Sequence, residues 1–146
     1  MKIEDIHTMW DEDCKIGMDL TAASLSTPII HGKYLQILNQ EKARAVYLDM
    51  EQKKLLKKKW LYYNGKMTQE EIENEGWEYD PFNGLKVMKG EMNYYYDADE
   101  DIQKSEMKIQ LQKQKIDTLK EVMDNLKWRH QTIKNVIEWK KFEVGA

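Results

Sequence analysis

The chain has 146 residues and a mean hydropathy of −0.81, with 23 basic and 26 acidic side chains and a net charge of −3. Its 7 glycines and 2 prolines are too few for the many turns of an all-β fold or a large α/β enzyme, so we expect a single all-α domain over 1–146. No apolar run reaches the roughly 18 residues of a membrane span, and the acidic start lacks an apolar signal core. The lone cysteine excludes an internal disulfide and a cysteine-rich zinc site. We therefore expect a cytoplasmic protein without a membrane partner.

A short helix is predicted first, at about 3–19. Ile3, Ile6, Met9 and Ile16 recur near helical spacing. A polar link at 21–26 is expected to separate this helix from the next one.

The second predicted helix is long and basic and covers 28–63. Thr27-Pro28 is a good start, because Thr can cap a free backbone N–H and Pro fits the first helical position. No further proline precedes Asn64-Gly65, a pair that is typical of a helix end.

The segment 66–97 is predicted to be an irregular acidic insertion, because it lacks a sustained period. It contains Pro81 and several glycines. Val87 and Tyr94-Tyr95-Tyr96 could form a short β-hairpin. A loop of this length is usually functional or mobile.

The third predicted helix covers 98–142 and should run antiparallel to the second. Its heptad pattern has apolar residues at eight of twelve a and d positions, which predicts a packing seam. His130 falls at an a position, where we interpret it as a packed or register-setting residue. Trp128 and Trp139 lie off the seam, eleven residues apart, and should cover a second surface, either on the second helix or on another subunit.

Charge is segregated along the chain. The net charge is −4 over 1–30, +6 over 31–66, −9 over 67–101 and +4 over 102–146. Four lysines of the basic block share about 140° of a helix, while Lys59 points elsewhere. The block contains Lys53, Lys54, Lys57, Lys58 and Lys59, followed by Trp60, Tyr62 and Tyr63.

Such a lysine run is most often a solvated helix face, but it also suits single-stranded nucleic acid. Lysines neutralise phosphates, and aromatic rings stack on bases without demanding a sequence. Trp60, Tyr62 and Tyr63 are the candidates for stacking. Packing in the core is the equally plausible role of Trp60. Asp49 and Glu51 can each compensate one lysine locally, whereas Lys57, Lys58 and Lys59 have no such partner.

The sequence offers no catalytic constellation. The three histidines are scattered, and neither a phosphate-binding loop nor a nucleophile elbow is present. The acidic residues at 97–101 lack the spacing of an EF-hand. We expect no enzymatic activity, no cofactor and no metal.

Four segments along the chain carry a family resemblance. They are Met1-Lys2-Ile3-Glu4-Asp5-Ile6, then Gln52-Lys53-Lys54 with Lys57, Lys59 and Tyr62-Tyr63-Asn64-Gly65, then Ala98-Asp99-Glu100-Asp101-Ile102, and finally Phe142-Glu143-Val144-Gly145. In order and spacing the chain resembles the UvsY-type recombination mediator proteins of T-even-like bacteriophages. The insertion at 66–97 departs most from the family pattern.

The resemblance implies a non-enzymatic protein of the bacterial host cell cytoplasm. It would bind single-stranded DNA and load a RecA-like recombinase onto strands covered by single-strand-binding protein. The family's DNA-contacting positions fall on Lys57 and Lys59, and Lys59 stands at an arginine-type position, which costs bidentate phosphate contact. The alternative is a helical oligomeric scaffold or adaptor protein without DNA binding.

The resemblance also implies a homo-oligomeric ring, a hexamer or heptamer, that is assembled through the C-terminal segment. The residues that would then serve oligomerisation are Ile116, Leu119, Met123, Leu126, Trp128, Ile133, Ile137 and Trp139.

Overall fold

The computed structural model describes residues 1–145, which form helices and turns without a β-strand. The predicted all-α class is confirmed. None of the helices in this range is both long enough and apolar enough to cross a membrane. The elements are α1 (Ile3–Asp13), α2 (Leu20–Tyr63), α3 (Gln69–Glu75), a 3-10 turn (Lys89–Glu91), α4 (Met92–Ala98) and α5 (Glu100–Glu143).

The chain divides into two compact units. The first consists of Met1–Arg44 and the described residues from Gln112 onward, and the second is Ala45–Leu111. Each unit contains one part of α2 and one part of α5. In the first unit these parts run antiparallel, because Thr27 contacts Arg129 while Glu41 contacts Gln112.

The core of the first unit lies between α1, α2 and α5. Tyr34 is fully buried, its ring packs edge-on against Trp10 at 5.6 Å between centroids, and its hydroxyl donates to Asp13 Oδ2 at 2.8 Å. Burying large side chains in this way is the main stabilising contribution to such a unit. The core cluster is Ile6, Tyr34, Leu38, Leu119, Val122 and Leu126.

The buried seam of α5 differs from the predicted one. Its fully buried residues lie at four d positions and at two positions just before an a, and they are Gln112, Leu119, Val122, Leu126, Arg129 and Ile133. The a residues Ile116 and Met123 are only partly buried against the core. The prediction that His130 packs in the seam is therefore wrong. His130 is exposed and stacks beside Trp128.

Arg129 is buried beside His130 because its guanidinium contacts the end of α1. Its guanidinium donates to Thr27 Oγ1 at 3.1 Å and to the carbonyl oxygens of Asp13 at 3.3 Å and Lys15 at 3.4 Å. Carbonyls at the end of a helix have no partner within the helix. Arg129 therefore caps the end of α1, and the predicted extension of α1 to residue 19 does not occur.

The predicted start of α2 at Thr27-Pro28 is also wrong. The helix begins at Leu20, and Pro28 lies inside it. Asp19 acts as the cap instead, since its Oδ1 accepts from Ala22 N–H at 3.0 Å. The Thr27 hydroxyl donates back to the Ala23 carbonyl at 3.0 Å, so the predicted polar link is helical.

The end of α2 is where the sequence predicts it. Gly65 has a φ of 68°, a left-handed conformation that glycine adopts at low cost. Lys66 N–H then donates to the Leu61 carbonyl at 2.8 Å. This pattern closes the helix and reverses the chain.

Residues 66–98 are more ordered than a loop. They contain α3 and α4, and Tyr94-Tyr95-Tyr96 lies within α4, so the predicted β-hairpin is wrong. Aromatic packing organises this part of the second unit: Tyr62 lies 5.0 Å from Trp77, and Phe82 lies 4.6 Å from Tyr95, between ring centroids. Pairs at such distances stabilise beyond the area that they bury.

Candidate nucleic-acid interface

Four lysines of the second unit form an exposed surface on α2, which we call the basic face: Lys53, Lys54, Lys57 and Lys58. Lys53 pairs with Asp49 at 3.0 Å and Lys54 with Glu51 at 3.3 Å. Both pairs were expected from the spacing. Because both lysine side chains are 74% exposed, each pair is worth less than about 1 kcal/mol. A phosphate can therefore replace either carboxylate.

The other two members of the basic face differ from each other. Lys58 pairs with Glu75 at the end of α3, at 2.8 Å. Lys57 is exposed and forms no ion pair with any residue in the range 1–145. Lys57 is therefore the cation of this face that no local carboxylate compensates.

Trp60 stands on the same side of α2 as Lys57 and Lys53, since these residues follow each other at spacings of three and four. Its side chain is 46% exposed. The ammonium of Lys66 lies 4.4 Å from its ring centroid, a cation–π contact. This ring remains accessible for stacking beside the basic face.

Lys59 does not belong to the basic face. Only 3% of the residue is exposed. Its Nζ lies 2.9 Å from Asp99 Oδ2 and 2.9 Å from Asp101 Oδ2, and 3.8 Å from the centroid of the Trp77 ring. The prediction that Lys59 contacts DNA conflicts with this burial, because its charge is already paired inside the unit.

Asp99 is the residue that sequence reasoning missed. Its Oδ1 accepts from Ile102 N–H at 2.9 Å, which caps α5, and its Oδ2 accepts from the Tyr63 hydroxyl at 2.6 Å. Burial acts to raise the pKa of Asp99. The hydrogen bonds from Tyr63, Ile102 and Lys59, with the charge of Lys59, outweigh burial and lower the pKa. The cluster of acidic residues before α5 indicates a helix cap in the sequence. It does not indicate that Asp99 pairs with Lys59.

Tyr62 and Tyr63, which were predicted to stack on bases, pack and form hydrogen bonds inside the second unit. Tyr62 is 6% exposed and its hydroxyl donates to the Glu78 carbonyl. Tyr63 is half-buried and donates to Asp99. Burial raises the pKa of both hydroxyls, and for Tyr63 the hydrogen bond to Asp99 adds to it. The prediction that these rings stack on bases conflicts with this packing.

The predicted oligomerisation residues separate into two groups. Leu119, Leu126 and Ile133 are buried in the first unit, and Ile116 and Met123 are partly buried there. These five side chains therefore pack within the first unit. The members that face solvent are Trp128, Ile137 and Trp139, exposed by 68%, 38% and 60%.

Over residues 1–145, no group of three or more His, Cys, Asp or Glu side chains is placed to hold a metal ion.

Comparison with known proteins assigns the family. The fold is similar to crystal structures of the bacteriophage T4 recombination mediator protein UvsY. For lattice type II the TM-score is 0.80 at 23% identity, covering 99% of this chain and 98% of that one. For lattice type I it is 0.79 at 22% identity, covering 95% and 98%. These likenesses show the fold.

No curated protein matches the sequence significantly. Residues 9–146, however, match the family model described as recombination, repair and ssDNA binding protein UvsY. Because this match spans nearly the whole chain, the protein belongs to the UvsY family.

Proposed function

We propose that the protein is a recombination mediator. It binds single-stranded DNA through the basic face and promotes the loading of a RecA-like recombinase onto strands covered by single-strand-binding protein. The observation that supports this most directly is that Lys57 is exposed and uncompensated on the same side of α2 as Trp60. Membership of the UvsY family gives the reason to expect DNA as the ligand.

The basic face suits a strand without sequence preference. Its lysines neutralise phosphates and release counterions, and the Trp60 ring can stack on any base. Both pairs, that of Lys53 and that of Lys54, are exposed, so that exchanging a carboxylate for a phosphate costs little. The net charge of −3 does not oppose binding, because the local field of a patch decides attraction at short range.

The proposed assembly is a homo-oligomeric ring, a hexamer or heptamer. Trp128, Ile137 and Trp139 are the apolar side chains that a second copy can cover. A ring repeats the basic face once per subunit, so that each further contact with the strand occurs at high effective concentration.

Such a ring would act by shaping the strand. Contact with several basic faces bends or extends the DNA, which weakens the hold of the single-strand-binding protein. The shaped segment then serves as the nucleation site for the recombinase. The acidic segment at 67–101, with a net charge of −9, would be repelled by DNA and is suited to basic surfaces of the two protein partners.

The test combines binding and loading. Fluorescence anisotropy of a labelled oligonucleotide should show sequence-indifferent binding that weakens with salt. Lys53→Gln/Lys57→Gln should reduce this binding, whereas Lys86→Gln/Lys89→Gln, which removes two exposed charges from the same unit, should not. The ATPase rate of a RecA-like recombinase on protein-covered DNA should rise with the wild type and less with the first variant. Binding that is absent or independent of salt would favour the scaffold alternative.

A further inference from the structure

An open groove in the second unit presents a further pair of lysines that the basic face does not include. The groove lies between the parts of α2 and α5 in that unit and has a volume of about 530 Å³, within the range of about 300–1,000 Å³ that is typical of ligand sites. Its charged residues and its exposed ring are Tyr47, Glu51, Glu75, Asp101, Lys104 and Lys108.

The three carboxylates of the groove already have partners, all of them lysines of α2. Each carboxylate thus has a lysine beside it before any ligand arrives, although Lys59 is shared between Asp101 and Asp99. The pairs are Glu51 with Lys54 at 3.3 Å, Glu75 with Lys58 at 2.8 Å, and Asp101 with Lys59 at 2.9 Å.

Lys104 and Lys108 are the charges of the groove that remain. Both are exposed, and neither forms an ion pair with a residue in the range 1–145. They stand four residues apart on one face of α5, an arrangement in which like charges repel and weaken a helix. The wall of α5 therefore carries two positive charges that form no ion pair with the described residues.

Tyr47 provides the ring on the opposite wall. It is 58% exposed and packs against no other aromatic ring among the described residues. A groove with lysines on one wall and a free ring on the other matches the chemistry of a polynucleotide, whose phosphates need cations and whose bases need flat surfaces.

We propose that this groove binds one strand of nucleic acid, with Lys104 and Lys108 on its phosphates and Tyr47 against a base. The proposal rests on the proposed function and extends it, since α5 adds a second row of contacts to the basic face of α2. Lys54 and Lys58 pair with the groove carboxylates Glu51 and Glu75 and are not counted among its free charges.

The test is the salt dependence of binding by the full chain to a labelled oligothymidylate. Lys104→Gln/Lys108→Gln keeps the length of both side chains and removes their charges. The slope of log affinity against log salt should become shallower by about 1.4 for each subunit that the strand contacts, at about 0.7 per phosphate. Lys104→Arg/Lys108→Arg should restore the slope. Lys86→Gln/Lys89→Gln, with the same change in charge outside the groove, should leave it unchanged.

Tyr47→Ala should weaken binding at every salt concentration without changing the slope, because stacking involves no counterion. Circular dichroism and sedimentation confirm that each variant keeps its fold and assembly. A slope for Lys104→Gln/Lys108→Gln equal to that of the wild type, while Lys53→Gln/Lys57→Gln loses affinity, would overturn the groove and leave the proposed function standing. A wild type without salt-dependent binding would overturn both.

Discussion

The Nζ of Lys59 lies 2.9 Å from Asp99 Oδ2, and both side chains are only 4% exposed. This pair joins the last part of α2 to the cap of α5 inside the second unit. A buried pair often adds little net stability, but removing one partner leaves an uncompensated charge without solvent. The pair therefore explains why a lysine in the middle of a basic run serves the fold.

Lys59→Ala should lower the free energy of unfolding by about 3–5 kcal/mol, because Asp99 would remain buried without its partner. Urea denaturation measures this change. Lys59→Met/Asp99→Asn should recover part of the loss, since Asn still caps α5 and no buried charge remains. Equal stability of Lys59→Ala and the wild type would mean that the pair is not buried in solution.

Stability should fall at acid pH through Asp99. Its folded pKa is lowered relative to an unfolded value of about 3.9, so its contribution is complete above the unfolded pKa and is lost as pH falls through the folded pKa. Asp99→Asn should therefore flatten the acid limb of the free energy of unfolding between about pH 5 and pH 2. Asp97→Asn, at an exposed position, is the control of equal charge. An unchanged acid limb in Asp99→Asn would contradict the assignment.

Arg129→Ala should destabilise the first unit, because the carbonyls at the end of α1 and the Thr27 hydroxyl lose their donor. Hydrogen bonds to a charged group are worth about 1.5–3 kcal/mol, and we expect a loss of at least that size in thermal or urea unfolding. Lys127→Ala, with 69% of the side chain exposed, should change stability by no more than about 0.5 kcal/mol. Similar losses in the two variants would argue against the capping role.

Trp60→Ala should weaken binding of single-stranded DNA by about 1–3 kcal/mol for the base that it stacks on. Trp60→Phe should retain most of the affinity, since a ring remains. Both variants should keep the salt slope of the wild type, which anisotropy titrations at several salt concentrations can establish. A loss of folding in Trp60→Ala, seen by circular dichroism, would assign the ring to packing.

Trp128→Glu/Trp139→Glu should convert the proposed ring into smaller species, because a charge on each exposed ring opposes its burial against a second copy. Sedimentation velocity at micromolar concentration is the measurement. Glu121→Gln, at another exposed position of α5, should leave the assembly intact. A wild type that sediments as a monomer would contradict the proposed assembly itself.

Local signals account for the parts of the fold that the sequence predicts well. Asn64-Gly65 ends α2 because the left-handed turn at Gly65 depends on that residue alone. Local signals do not determine where α2 starts, because the side chains of both Asp19 and Thr27 can cap a helix. The choice between them is tertiary: Ala23, between the two, is buried in the structure.

Contacts between distant residues account for what the sequence could not predict. The burial of Lys59 depends on Asp99, and the burial of Arg129 depends on its contacts with the end of α1. Helical periodicity gives the spacing of a face but not the partner that covers it. The same limit applies to Tyr62 and Tyr63, whose packing against Trp77 and Phe82 no local pattern indicates.

The most direct test of the account is the salt dependence of single-stranded DNA binding in Lys57→Gln, compared with Lys86→Gln. We predict that the slope of log affinity against log salt becomes shallower by about 0.7 per contacted subunit in Lys57→Gln and does not change in Lys86→Gln. Equal slopes and affinities in Lys57→Gln and the wild type, with fold and assembly intact, would contradict the claim that the basic face binds the strand.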